Sequence, residues 1–88
     1  MTDDGARIAE IAGRLTKAQR DVMLAFNMAP SWTTAPHAGC HRRQGAVALA
    51  LARKGLFAWR YEVANGLLWF LPTPLGRAVR DYLEKQDG

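Results

Sequence analysis

The dipeptide Asn65-Gly66 lies between two runs rich in aromatic and β-branched residues, Leu56 to Ala64 and Leu67 to Leu71. Asn and Gly both tolerate a positive φ, so this stretch predicts a β-hairpin. The flanking segments read as helix. Arg42 to Lys54 is alanine-rich, and Gly55 stops it. Thr73-Pro74 opens the next helix, with Thr as N-cap and Pro at the first helical position, where its missing N–H does no harm. Helix, glycine stop, two-stranded ribbon and returning helix define an α+β, mainly helical chain. Its 88 residues form one domain, residues 1–88.

A two-residue turn at Asn65-Gly66 sets Val63 opposite Leu68, Glu62 opposite Trp69, Tyr61 opposite Phe70 and Arg60 opposite Leu71. Alternation then gives a core face of Trp59, Tyr61, Val63, Leu68 and Phe70. The other face carries Arg60, Glu62, Leu67, Trp69 and Leu71. A tryptophan and two leucines facing solvent form a contact surface, which makes Leu67, Trp69 and Leu71 the candidate partner or dimer contacts.

The N-terminal half is read from its caps. Asp3 or Asp4 caps a first helix with Ile8, Ile11, Ala12 and Leu15 on one face, interrupted at Gly13. That stripe packs on the domain itself or on a second copy. Thr16 and Gln19 form a capping box for a helix reaching Ala29, with Ala18, Val22, Ala25, Phe26 and Ala29 along one side and Pro30 as its limit. Pro30 to His41 is loop with at most one helical turn, and Trp32 is expected to fill the core from it. In the Arg42–Lys54 helix, Gln44, Val47, Ala48 and Leu51 point inward. Arg42, Arg43, Ala46, Leu49, Ala50 and Arg53 point outward. The last helix turns Leu75, Ala78, Val79 and Tyr82 inward, with Leu83 at the edge. Its Arg77, Arg80, Asp81 and Glu84 read as a solvated or subunit-facing side.

The formal net charge is +4, and its distribution says more than its size. Ten cations (Arg14, Lys17, Arg20, Arg42, Arg43, Arg53, Lys54, Arg60, Arg77 and Arg80) lie between Gly13 and Arg80, against Asp21 and Glu62 alone. A basic centre with acidic ends points to an anionic partner, nucleic acid first. Cys40 is the single cysteine, which rules out an internal disulfide and fits a cytoplasmic protein. The N-terminus is acidic where a secretory signal is basic, and no apolar run approaches the roughly 20 residues a membrane span needs. His37, Cys40 and His41 offer three zinc-type ligands, but a fourth at recognisable spacing is missing, so no metal or cofactor is expected. Paired acids, a Gly-rich phosphate loop and a nucleophile with base and orienting acid are likewise missing, so the chain does not read as an enzyme.

The motifs Leu15-Thr16-Lys17-Ala18-Gln19-Arg20, Leu51-Ala52-Arg53-Lys54-Gly55-Leu56 and Thr73-Pro74-Leu75-Gly76-Arg77-Ala78 resemble the winged-helix regulators of the MarR type. The resemblance implies a winged helix-turn-helix with the hairpin as wing and flanking N- and C-terminal helices. It implies a DNA-binding transcriptional regulator of bacterial or phage origin, with a recognition helix in the major groove and the hairpin along the backbone or minor groove. Arg42, Arg43 and Gln44 then stand at the start of the recognition helix, and Arg53, Lys54 and Arg60 join them as candidate nucleic-acid contacts. The exposed Ala46, Leu49 and Ala50 cannot hydrogen-bond base edges, so the expected grip is on phosphates. The same scaffold also suits a protein-interaction module, such as a phage-encoded, anti-CRISPR-like inhibitor of a host complex acting through the apolar wing face. The expected partner is therefore double-stranded DNA or a host protein complex, with a homodimer compatible with either.

Overall fold

The computed structural model describes residues 2–87, with the side chains of residues 5–41 and 43–86. In chain order these form α1 (Thr2–Gly13), α2 (Lys17–Ala25), a 3-10 turn (Arg42–Gln44), α3 (Gly45–Arg53), β1 (Phe57–Glu62), β2 (Leu67–Pro72) and α4 (Pro74–Asp87). The domain is α+β, four helices around one antiparallel hairpin. No described helix is long and apolar enough to cross a membrane.

α1 begins at Thr2, so Asp3 and Asp4 sit within it rather than ahead of it; their side chains lie outside the described residues. Its apolar stripe, with Ala12 and Leu15 buried and Ile8 and Ile11 partly so, packs on α4 of the same chain. Leu83 meets it as a core residue, 2% exposed, where the sequence put it at the edge.

α2 opens with the expected capping box. The Gln19 N–H donates to Thr16 Oγ1 at 3.1 Å, and the Thr16 N–H donates to Gln19 Oε1 at 3.0 Å. The helix stops at Ala25, four residues short of the expected Ala29, because Phe26 turns extended and its ring enters the core. Ala18 and Ala25, expected on the inner side, are exposed, and Val22, Met23 and Phe26 are buried. Past that early end, α4 supplies donors to two carbonyls of the segment that follows. Arg77 Nη1 donates to the Met28 carbonyl at 2.6 Å, and Arg80 Nη1 donates to the Phe26 carbonyl at 2.8 Å. These two arginines are tied down, which corrects their reading as a solvated or subunit-facing pair.

Residues 33–40 fill the space beside α2 without a helix. Ala35, Ala38 and Cys40 are buried, and the Asn27 N–H donates to the Ala38 carbonyl at 2.8 Å. Thr33 bridges β2 through both backbone bonds to Phe70, at 3.0 and 2.8 Å. Trp32 does not enter the core; it is 36% exposed and lies under the Arg60 guanidinium, 5.0 Å from the ring centroid.

α3 ends as Gly55 predicts. Gly55, at φ +86°, donates to the Ala52 carbonyl at 2.9 Å, and the Leu56 N–H donates to the Leu51 carbonyl at 3.2 Å. That bond pair, with Leu51 and Leu56 both fully buried, is a Schellman closure. Thr73 ties the next junction. Its hydroxyl accepts from the Gly76 N–H at 3.0 Å as the α4 N-cap, and donates to the Gly55 carbonyl at 2.7 Å.

The hairpin forms where expected, in a different register. Trp59 faces Phe70, Tyr61 faces Leu68, Arg60 faces Trp69 and Glu62 faces Leu67, so the loop holds the four residues 63–66. A two-residue Asn-Gly turn of the primed type needs positive φ at both positions, and here only Gly66 has it, at +64°. A shift of two residues keeps each side chain on its face. It does not keep the face in the core: Phe57 and Phe70, at the base of the ribbon, are buried, while Trp59, Tyr61 and Val63 are 45%, 54% and 82% exposed. The ribbon outruns the body that was expected to cover it. Phe26, Phe57 and Phe70 form the aromatic centre of the core, with ring centroids 4.5, 6.3 and 6.2 Å apart.

Candidate nucleic-acid interface

The candidate surface is built on α3 and the turn that leads into it. The Gln44 N–H donates to the His41 carbonyl at 2.8 Å, and the His41 N–H donates to Gln44 Oε1 at 2.6 Å. The Arg43 N–H donates to His41 Nδ1 at 3.0 Å, which makes that nitrogen the acceptor of the ring. This closed set of bonds orders the entry to α3. It also commits the Gln44 side-chain oxygen, and Gln44 is only partly exposed.

Arg43 is exposed at the start of α3, and Arg53 and Lys54 are exposed at its end. Arg42 lies in the 3-10 turn; its side chain falls outside the described residues. Along the helix axis Arg43 and Arg53 stand about 15 Å apart at 1.5 Å per residue. At helical spacing Ala46, exposed, and Ala50, half-buried, share their face with a cation at each end, whereas Leu49, read as outward, packs against the core. Among the described residues the ion pairs are Arg14 with Glu10 at 3.2 Å and Arg80 with Glu84 at 3.6 Å, so Arg43, Arg53, Lys54 and Arg60 enter none. Arg60 is held over Trp32, away from the α3 cations in sequence but on the same basic stretch.

The three apolar candidates on the hairpin differ among themselves. Leu67 is 39% exposed, whereas Trp69 and Leu71 are half-buried. Trp69 Nε1 donates to Glu62 Oε1 at 2.9 Å, and Asn65 Nδ2 donates to Glu62 Oε2. The carboxylate thus pins the tryptophan to the hairpin and the hairpin loop to its strand. The most exposed aromatic row is on the opposite face, at Trp59 and Tyr61, which the sequence reading assigned to the core. Strand alternation alone separates the faces; it carries no signal for where the supporting body ends.

His37, Cys40 and His41 do not converge. His37 Nδ1 shares a 2.8 Å hydrogen bond with Thr34 Oγ1, His41 Nδ1 accepts from the backbone, and the buried Cys40 Sγ lies 4.0 Å from the Val22 carbonyl. Burial pushes the Cys40 thiol above its ordinary pKa, which disfavours the reactive thiolate. An open cleft of about 410 Å³ runs between Asn27–Ala29 and α4, but its arginines are the ones already bonded to the Met28 and Phe26 carbonyls. No protein-family model, curated protein or solved structure matches this chain.

Proposed function

We propose that this chain is a small winged-helix protein that binds double-stranded DNA, with α3 as the recognition helix, the hairpin as wing and transcriptional regulation as its role. The order α2, Thr33 bridge, α3, hairpin, α4 supports the winged-helix reading, the Thr33–Phe70 pairing serving as the short third strand. One observation carries the DNA reading: exposed cations outside any described ion pair stand at both ends of α3, with alanine between them. A helix about 13 Å long suits a major groove about 12 Å wide, with Arg43 reaching one wall and Arg53 and Lys54 the other. The alanine face allows close approach and supplies contact to thymine methyl groups at most, so binding is chiefly to phosphates.

Fluorescence anisotropy with a labelled duplex, repeated across salt concentrations, tests this. The expected result is binding that weakens steeply with salt. An Arg43→Ala/Arg53→Ala double variant flattens the logarithmic salt slope by about 2. Absence of binding by the wild-type chain at low salt removes the proposal. The alternative, an inhibitor-like protein-interaction module, draws support from the exposed Leu67 and the Trp32–Arg60 stack on one face of the wing. Capture of a protein from nuclease-treated lysate that Leu67→Asp abolishes would favour it.

A further inference from the structure

The sheet has one covered edge and one open edge. β2 pairs with β1 on one side and, at Phe70, with Thr33 on the other. Among the described residues no backbone hydrogen bond other than those to β2 reaches Phe57–Glu62. Edge strands are normally blunted by proline, lysine, a bulge or a covering element. β1 reads Phe-Ala-Trp-Arg-Tyr-Glu, has an unbroken register and no proline or lysine, and its two charges, Arg60 and Glu62, are of opposite sign. It also presents Trp59 and Tyr61 on one face, at 45% and 54% exposure, with Val63, 82% exposed, following in the loop.

We propose that β1 is a homodimerisation edge, on which a second copy of this chain adds its own β1 antiparallel about a two-fold axis centred on Tyr61. The occupant follows from the order of charges. Of the two-fold registers, the one with Tyr61 opposite Tyr61 sets Arg60 opposite Glu62 of the second copy, and Glu62 opposite its Arg60. Both cross-strand pairs are then of opposite sign. The same register lays Tyr61 against its own copy and brings Trp59 beside Val63 in the hairpin loop of the second copy, so the exposed apolar row lies along the interface. Centring on Arg60 or on Glu62 instead stacks like charges, and centring on Trp59 sets Arg60 and Glu62 opposite Ala58 and Leu56, with no charge partner. The sequence Trp-Arg-Tyr-Glu-Val is thus complementary to itself in one antiparallel register. Glu62 keeps its contacts with Trp69 and Asn65, because a carboxylate accepts at about four lone-pair sites. The product is a continuous four-stranded sheet with the two helical bodies at opposite ends.

The interface is of the smaller kind, so association is expected to depend on concentration. The test is sedimentation velocity over a concentration series, with thermal melts confirming that each variant folds. Arg60→Glu and Glu62→Arg each place like charges opposite one another twice and weaken self-association by about tenfold or more. A one-to-one mixture of the two variants restores opposite pairs and dimerises again, as does the double variant carrying both changes. Val63→Asp, on the most exposed side chain of the row, gives a second disruption independent of the Glu62 contacts. A wild-type chain that remains monomeric throughout the series overturns the proposal. So does a dimer that survives both charge reversals and Val63→Asp. Duplex binding by α3 is read separately, so either proposal can fail without the other.

Discussion

Gly76 and Leu56 touch backbone to backbone: a β-carbon placed on Gly76 would stand 1.9 Å from the Leu56 carbonyl oxygen and 2.9 Å from its carbon. No side-chain movement relieves such a contact. The first turn of α4 can therefore dock beside the Schellman closure of α3 only with glycine at this position.

Gly76→Ala is accordingly expected to destabilise the domain by about 3 kcal/mol or more, by forcing α4 away from Leu56. Gly5→Ala makes the contrast. Nothing lies within 4 Å of a β-carbon there, and the residue sits inside α1. It should stabilise by about 0.5–1 kcal/mol through helix propensity. Urea denaturation of both variants checks the pair.

Thr73 joins the same two helix ends through one hydroxyl, accepting from Gly76 and donating to Gly55. Thr73→Val keeps the shape and loses both bonds, at an expected cost of about 1–2 kcal/mol. Thr73→Ser should retain most of the stability. A Ser variant as damaged as the Val variant would show that the hydroxyl is not what matters.

Structural and interfacial arginines should separate in a two-readout experiment. Arg80→Met strips the Phe26 carbonyl of its donor and is expected to cost about 1–2 kcal/mol in folding. Arg43→Ala, exposed and outside any described ion pair, should change stability by less than about 0.5 kcal/mol while weakening duplex binding. Equal effects of the two variants on both readouts would contradict the assignment.

Cys40 gives the pH prediction. Its folded pKa is raised by desolvation, so the folded chain holds the thiol proton more tightly than the unfolded chain does. That contribution is fully present below the unfolded thiol pKa of about 8.5, and it is lost as pH rises from there through the folded value. Stability should therefore fall more steeply above that pH in the wild type than in Cys40→Ala. The difference in slope approaches at most about 1.4 kcal/mol per pH unit. Parallel pH–stability curves would refute it. Thiol-reactive reagents should modify Cys40 only under unfolding conditions.

Local chemistry was legible in the residues; distant geometry was not. The Thr16–Gln19 box, the Gly55 stop, the Thr73 cap and the position of the hairpin each depend on a few adjacent side chains, and each formed. The register missed by two because it turns on the φ of Asn65, which the dipeptide permits to be positive but does not require. Trp32 was misplaced because its cation, Arg60, is brought to it across the sheet. Arg77 and Arg80 read as surface residues because the carbonyls they cap belong to a segment far earlier in the chain. For the candidate interface, the sequence supplied the α3 cations. That Gln44 is spent on His41 appears only in three dimensions.

The donors that tie down the segment after α2 arrive 49 and 54 residues after the carbonyls they serve. A polypeptide lengthening from its N-terminus gains these two bonds only after nearly everything described here has been made. Contacts of such sequence separation carry a loop-closure cost, and shortening the chain before Arg77 is expected to leave the segment after α2 without its partners.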